Sequence, residues 1–259
     1  FAFDIQQVGE NTTIAGPLSV TAVDDNVFWM GLGDFYVYTG QTQKLPCSVK
    51  SYVFNDFNEA QREKVIAGSN SAFSEVWWFY PSATSEENDR YVVYNYLEKT
   101  WYFGNLSRTA WIDKGIEDDP TAASAGFLYR HEVGNDDGST NPVSSITSFI
   151  ESSQIDIGDG DRFMFMRRVV PDLTFVGSTS DAPSANFTMK ARNFPGGNYL
   201  QSDENSVTRS ATSPVEQFTD QVFVRLRGRS FAVRVESTAQ GTQWRFGAPR
   251  VDIRPDGRQ

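Results

Sequence analysis

The sequence is poor in the residues that build many catalytic and cross-linked sites. Among its 259 residues it has one cysteine, Cys47, and one histidine, His131. A single thiol cannot close an intrachain disulfide, and one imidazole gives weak support to a cysteine–histidine nucleophile or a metal site. Neither an H-x-x-E-H nor a G-x-S-x-G motif is present. We therefore predict that Cys47 and His131 are structural, that the chain is not an enzyme, and that it uses no metal or cofactor.

Long apolar runs and an excess of basic residues are also absent. No stretch reaches the roughly 18 apolar residues of a membrane-spanning helix, and no basic-then-apolar leader occurs, so we expect neither in this segment. The formal net charge is −10 and the isoelectric point about 4.7. Such a chain repels phosphate backbones, so tight nucleic-acid binding is not expected. The chain begins at Phe1 rather than methionine, and we expect further sequence upstream.

What the sequence does have is aromatic residues in β patterns. Hydrophobic residues make up 39% and aromatic residues 14%, enough for a substantial core at this length. Residues 26–30 and 34–38 flank Gly31-Leu32-Gly33, which predicts a hairpin. Residues 75–80 and 90–96 repeat the layout, and residues 101–104 predict a further strand.

The two hairpins indicate a repeat. Phe28 and Trp77 are 49 residues apart, close to the period of about 40–50 residues for a propeller blade. Between them, residues 57–67 have early acids and a late base, and Gly68 follows, so they predict one short helix. We predict a partial β-propeller over residues 1–125, and the repeat is not expected beyond the polar stretch 113–125.

The second part of the chain also predicts an all-β fold. Strand-like segments separated by turn residues predict a β-sandwich or barrel-like domain over residues 126–259, with the boundary between about 113 and 145. These segments are residues 145–157, 162–170, 185–192, 221–226, 230–235 and 243–253.

Arginine is concentrated at the end of the chain. From residue 221 onward there are eight arginines and three acids. Residues 222–227 and 231–235 alternate apolar residues with arginines, so we expect a final hairpin with one packed and one cationic face. A cationic face favours docking to an acidic neighbour. The predicted subunit-interface residues are Arg225, Arg227, Arg229 and Arg234.

Two other interpretations remain open. Carboxylate pairs with exposed tryptophans would suit a carbohydrate-binding or glycan-cleaving module. The acidic, glycine-containing runs 135–138 and 156–161 could hold Ca²⁺, although neither has EF-hand spacing and turn chemistry is favoured.

Four groups of residues, taken together, carry a family resemblance. They are residues 45–47 with 52–58; residues 75–81 with 91–96 and Trp101; residues 128–134; and residues 244–247 with 252–258. In this order the chain resembles the hub, nozzle or packaged-DNA-stabilisation proteins in the tails of short-tailed bacteriophages.

The resemblance implies a β-propeller with an adjoining β domain, located in the virion. Such subunits are repeated around the tail axis, usually as a hexamer below the portal and adaptor rings, and they meet distal tail proteins. They close and extend the channel, and phage DNA passes through it without sequence-specific binding. The chain departs from the family in length, because 259 residues hold too few blades for a closed ring plus a C-terminal domain.

Overall fold

Antiparallel strands dominate both halves of the chain. The computed structural model describes residues 6–156, 160–194 and 209–257. The predicted all-β class is confirmed, and none of the sheets in these ranges closes into a barrel. The chain divides into two compact units, unit 1 (Phe1–Val133) and unit 2 (Gly134–Gln259); the sequence placed the boundary between about 113 and 145, with domains over 1–125 and 126–259. No helix in the described part is long and apolar enough to cross a membrane.

The first sheet of unit 1 is a four-stranded meander, in which each strand pairs with the next along the chain. Its strands are β1 (Val20–Val23), β2 (Asn26–Met30), β3 (Phe35–Tyr38) and β4 (Thr42–Leu45). The first predicted hairpin is confirmed as β2 and β3, and Met30 pairs with Phe35. Asp24 and Asp25 join β1 to β2 with φ of 48° and 64°, the left-handed conformation typical of a two-residue hairpin loop.

The second sheet repeats the same order. Its strands are β5 (Ile66–Asn70), β6 (Glu75–Tyr80), β7 (Arg90–Asn95) and β8 (Thr100–Asn105). The second predicted hairpin and the strand after it are therefore confirmed as β6, β7 and β8. All six residues of β6 are buried, so this strand is covered on both faces.

The predicted helix over residues 57–67 is wrong in extent. The chain forms an α-helix, α1 (Lys50–Asn55), and then a 3₁₀ helix (Glu59–Lys64) that is capped when Asn58 Oδ1 accepts the Ala60 N–H at 3.2 Å. Val65 is extended and fully buried, and β5 begins at the next residue. Burial of two adjacent β-branched residues in the core therefore overrides the helical charge pattern. Because α1 has neither a side-chain cap nor an acid in its first turn, its start carries no sequence signal.

A third sheet, with three strands rather than four, follows over residues 110–130, where the sequence predicted a polar stretch and no further repeat. Its strands are β9 (Ala110–Ile112), β10 (Thr121–Ser124) and β11 (Phe127–Arg130). In β10 only Thr121 has a marked strand preference, and the other residues are small, yet Ala122 is 2% exposed. The first strands of successive sheets contact each other, β1 with β5 and β5 with β9.

The core of unit 1 lies in two layers on either side of the second sheet. One layer packs Trp78 of β6 against Phe35 of the first sheet at 5.0 Å between ring centroids. The other packs Trp77 against Trp111 of the third sheet at 5.2 Å. Phe28 lies in the first layer, so Phe28 and Trp77, each on the second strand of its sheet, pack toward the sheet that follows.

Unit 2 contains two larger sheets and two short strand pairs. Its strands are β12 (Asp136–Asp137), β13 (Ser144–Ser145), β14 (Ser148–Glu151), β15 (Ile155–Asp156), β16 (Met164–Val170), β17 (Leu173–Thr174), β18 (Ser184–Arg192), β19 (Ser210–Glu216), β20 (Val222–Gly228), β21 (Ser230–Ser237), β22 (Arg245–Phe246) and β23 (Arg250–Pro255). One larger sheet has the order β14-β21-β18-β19, with β15 also paired to β21, and the other has the order β20-β16-β23. Side chains from both sheets, such as Met166, Phe187, Leu226 and Phe231, share one buried core.

The predicted final hairpin does not form. β20 pairs with β16 and β21 pairs with β18, so the two consecutive strands belong to different sheets. The chain crosses between the sheets at Gly228, where an added Cβ would lie 3.0 Å from both Ala191 Cβ and Arg192 O. The alternation of apolar and polar residues is correct for β20, but alternation alone does not identify the pairing partner.

The substitution Gly68→Ala tests the contact between the second and third sheets. Gly68 lies opposite Trp77, and an added Cβ would be 2.1 Å from Trp111 Cδ1, so we expect Gly68→Ala to lower the free energy of unfolding of unit 1 by about 1–3 kcal/mol. Chemical denaturation followed by tryptophan fluorescence measures this, since five of the six tryptophans lie in unit 1. Gly33→Ala is the matched control, because nothing lies within 4 Å of its added Cβ. Equal stabilities of the two variants would contradict the packing argument.

Candidate functional site

The most distinctive surface of the described chain is the outer face of the β20-β16-β23 sheet. In β20, Val222, Val224 and Leu226 point into the core while Phe223 and Arg225 are exposed. We call the arginines of this outward side the arginine face; they are Arg167, Arg168, Arg225, Arg227, Arg250 and Arg254. The sequence candidates Arg225 and Arg227 belong to it.

A β-bulge increases the number of arginines on this face. In the pairing of β16 with β23, Met166 lies opposite Ile253 and Arg168 opposite Asp252, so Arg167 is an extra residue, and both Arg167 and Arg168 are exposed. A regular strand would point one of the two inward. Arg168 pairs with Phe223 on one side and with Asp252 on the other, so an exposed aromatic ring lies within the face. Sequence analysis missed the arginines of β16 and β23 because only the register brings them beside β20.

Arg227 and Arg229 are engaged within unit 2. Arg227 Nε forms an ion pair with Asp256 Oδ2 at 2.6 Å, and its guanidinium lies 4.0 Å from the centroid of the Phe163 ring. Arg229, in the link between the sheets, donates to Asp161 O at 3.0 Å and lies 4.7 Å from the same ring. These contacts of Arg227 and Arg229 hold the ends of the β20-β16-β23 sheet in place, so the two charges are less available to a partner.

Arg234 lies in the other sheet and is also engaged. It bonds Glu236 at 2.9 Å and Glu151 at 3.1 Å, and it covers the Phe149 ring at 3.9 Å. The bonds to Glu236 and Glu151 raise the pKa of Arg234, and the Arg234 bond lowers the pKa of Glu236. This network holds β14 against β21, so Arg234 has a structural contact to account for it.

Arg225 is the remaining arginine that the sequence predicted at a subunit interface, and it is exposed. Arg225, Arg167 and Arg250 are exposed and form no ion pair with any residue in the described ranges. Phe223, two residues before Arg225 on the same face of β20, is 65% exposed. An aromatic ring and uncommitted guanidinium groups on one rigid sheet form a surface suited to an anionic, partly apolar partner.

The charge of the chain is divided unequally between its two units. Unit 1 holds 18 of the 33 acidic residues and 9 of the 23 basic residues, which gives a formal charge of −9. Unit 2 holds the other 15 acidic and 14 basic residues and has a formal charge of −1. The arginine face is therefore a basic surface on an acidic protein.

Unit 1 contains a carboxylate pair that sequence analysis did not find. Glu75 is 8% exposed and accepts hydrogen bonds from Trp77 Nε1 at 3.0 Å and from the Tyr102 hydroxyl. Asn70, the β5 partner of Glu75, donates to Glu132 Oε1 at 3.1 Å. Glu75 and Glu132 lie 57 positions apart in sequence, so only the packing of the third sheet on the second brings them together.

The two carboxyl groups share an unusual electrostatic environment. Burial raises the pKa of Glu75 even though Tyr102 and Trp77 donate to it. Burial, followed by repulsion from Glu75, raises the pKa of Glu132. Paired carboxyl groups with raised pKa values occur at catalytic and at purely structural sites, so the pair by itself does not establish chemistry.

His131 and Cys47 have structural surroundings. Arg108 Nε donates to His131 Nε2 at 2.8 Å, and burial followed by repulsion from Arg108 lowers the pKa of His131 to about 4. The imidazole is therefore neutral at pH 7 and packs on the Trp111 ring. Burial raises the pKa of Cys47 to about 11, so its thiol stays protonated, which disfavours nucleophilic attack.

In the first acidic, glycine-containing run, residues 135–138, the carboxylates of Asp136 and Asp137 accept hydrogen bonds from backbone N–H groups. Asp136 accepts the Gly241 N–H at 2.8 Å, and Asp137 accepts the Ser139 N–H at 2.9 Å, so both carboxylates fix backbone turns. Of the second run, residues 157–159 lie outside the described residues. Within the described ranges no group of three or more His, Cys, Asp or Glu side chains is arranged to hold a metal ion.

Unit 2 also has a shallow cleft of about 300 Å³ beside Trp244. Trp244 donates to Ser148 Oγ at 2.9 Å, and Thr242 Oγ1 is buried without a hydrogen-bond partner in the described part of the chain. The lining residues are Gly134, Asn135, Ile146, Ser148, Thr242, Gln243 and Trp244. The lining contains no carboxylate, so it suits binding rather than acid–base cleavage.

No protein-family model matches the chain, and no curated protein matches it.

The carboxylate pair predicts a specific pH dependence. Because the folded-state pKa of Glu75 is raised, its contribution to stability is complete below the ordinary carboxyl pKa of about 4 and is lost as the pH rises through the folded value. We therefore expect Glu75→Gln to gain stability relative to the wild type as the pH increases. Thermal unfolding of unit 1, followed by tryptophan fluorescence over a pH series, measures the difference.

Asp34→Asn provides the opposite control. Hydrogen bonds from Lys44 and Lys50 lower the pKa of Asp34, so its contribution is present above the ordinary carboxyl pKa and is lost as the pH falls. The deficit of Asp34→Asn should therefore grow with pH, while Glu75→Gln changes in the other direction. A pH-independent difference between Glu75→Gln and wild type would refute the raised pKa.

Proposed function

We propose that this chain is a structural virion protein, a tail hub or nozzle subunit of a short-tailed bacteriophage that extends and closes the DNA channel. The observation that carries the proposal is the pair of consecutive four-stranded meanders with their first strands side by side. Propeller blades have this strand order, with the first strand of each blade nearest the axis. The family resemblance of the sequence implies the same architecture.

The side-chain packing supports a partial propeller as the finer description of unit 1. Phe28 of β2 and Trp77 of β6 occupy equivalent positions in successive sheets, and each packs toward the next sheet. The third sheet has three strands rather than four among the described residues. Propellers typically have about 4–8 blades, so the proposal requires further blades from outside these three sheets.

The charge distribution suits the proposed place in the virion. An acidic unit 1 facing a channel would let DNA slide past without adhering, since like charges repel. The proposed partners are copies of the same chain in a ring, by resemblance a hexamer, together with the portal or adaptor and distal tail proteins. The neutral His131 and the protonated Cys47 thiol favour a structural role over a catalytic one.

Mass photometry of the full-length protein, alone and with its tail neighbours, tests this proposal. We expect closed oligomers, and negative-stain images of the large species should show rings with a central channel. A protein that stays monomeric under all conditions and with all neighbours would contradict the proposal.

A carbohydrate-binding module is the second candidate, and the cleft beside Trp244 is the observation that favours it. An indole ring beside the polar side chains of Asn135, Ser148 and Gln243 matches a shallow sugar site. The ligand of such a module would be a host-surface polysaccharide, and cleavage is disfavoured because the residues that line the cleft include no carboxylate.

A glycan array with host polysaccharides tests the second candidate. Binding should weaken about tenfold or more in Trp244→Ala and persist in Trp29→Phe, a conservative change in unit 1. Circular dichroism checks that unit 2 is folded in Trp244→Ala, because Trp244 also packs on the core. An array on which the wild type binds nothing removes this candidate.

A further inference from the structure

The arginine face and unit 1 present complementary surfaces. We propose that the arginine face of unit 2 docks onto the loop between β9 and β10 in unit 1 of a second copy of this chain. This inference rests on the proposed function, because it names the contact that would join neighbouring subunits of the ring.

The loop carries carboxylates and an exposed aliphatic side chain, which complement the arginine face. Ile116 is fully exposed, and Glu117 and Asp118 beside it are exposed and form no ion pair in the described part of the chain. An apolar side chain followed by two carboxylates complements Phe223 flanked by Arg225 and Arg168. The single cation of the loop, Lys114, lies on the other side of Ile116 in sequence.

Both ends of the loop are fixed, so its tip is held in position. Asp113 Oδ2 accepts Ser69 Oγ–H and Ser71 N–H, each at 3.0 Å. Asp119 forms an ion pair with Arg130 at 2.5 Å. Two of the four acids of the loop are therefore used as anchors, and Glu117 and Asp118 remain for a partner. A loop ordered before binding loses less conformational entropy on docking.

The arginine side is equally preorganised. Arg225 and Arg167 project from paired strands, and Phe223 adds an exposed ring to the same sheet. Guanidinium groups bind carboxylates through two parallel hydrogen bonds, which fixes orientation as well as adding attraction. Contact between Ile116 and Phe223 would exclude water from these bonds and strengthen them.

The overall charges favour a copy of this chain as the occupant. Unit 1 carries −9, and the face that would meet it carries six arginines. The contact joins different surfaces of the two copies, and head-to-tail contacts of this type close into rings when the rotation allows. Asp252 and Asp256 are paired with Arg254 and Arg227, so the attraction to the carboxylates of the loop comes mainly from Arg225, Arg167 and Arg250.

Charge reversal of each surface tests the contact in the full-length protein. We expect Arg225→Glu to weaken association at least about tenfold by mass photometry, and Glu117→Arg with Asp118→Arg to do the same. The chain with all three changes should recover association, because the attraction is restored with its sign inverted. Arg245→Glu is the matched control, since Arg245 is an exposed strand arginine of unit 2 outside the arginine face.

The outcomes separate this inference from the proposed function. If the wild type forms rings and the single-surface reversals form them equally well, the contact is wrong and the proposed function stands. If both reversals weaken association but the triple variant does not recover, the pairing of these two surfaces is wrong. If the wild type never associates, the proposed function and the contact fail together. Arg225-dependent binding of a DNA oligonucleotide with unchanged assembly would assign the face to nucleic acid instead.

Discussion

The burial of β6 on both faces is the constraint on which unit 1 depends. Alternate residues of a strand point to opposite sides, and in β6 both sides carry large aromatic rings: Trp78 and Tyr80 on one, Trp77 and Phe79 on the other. A sheet with such a strand cannot leave either face in water without exposing these rings. The first and third sheets cover the two faces, so the stacking of the three sheets follows from this strand.

The sequence predicts the parts of the fold that depend on local alternation. The hairpins around Gly31 and after Glu75 were correct because aromatic runs bounded by turn residues leave few other solutions. The predicted helix was wrong in extent because its charged residues form a 3₁₀ helix instead, whereas the burial of Val65 determines where β5 begins. The third sheet was missed because β10 is built of small residues whose burial depends on Trp111 and Tyr129 beside them.

The candidate sites depend on contacts between strands that are far apart in sequence, and local sequence patterns do not predict such contacts. Arg225 was predicted because apolar and polar residues alternate in its own strand. Arg167 reaches the same face through a β-bulge, which no sequence pattern predicts. Of the four predicted interface arginines, Arg234 turned out to be fully engaged with carboxylates of its own sheet. The Glu75–Glu132 pair depends on how the third sheet packs and has no counterpart in local sequence.

The two units differ in the sequence separation between paired strands. In unit 1 each strand of the first two sheets pairs with the next, so every pairing is available soon after the residues leave the ribosome. In unit 2, Ser148 of β14 pairs with Ser237 of β21, and Met164 of β16 pairs with Pro255 of β23. Because loop closure over such separations slows folding, unit 1 should be complete while unit 2 still waits for its last strand. The acidic unit would then be folded before β23 completes the arginine face, so the proposed contact between these two surfaces must wait for the pairing of β23.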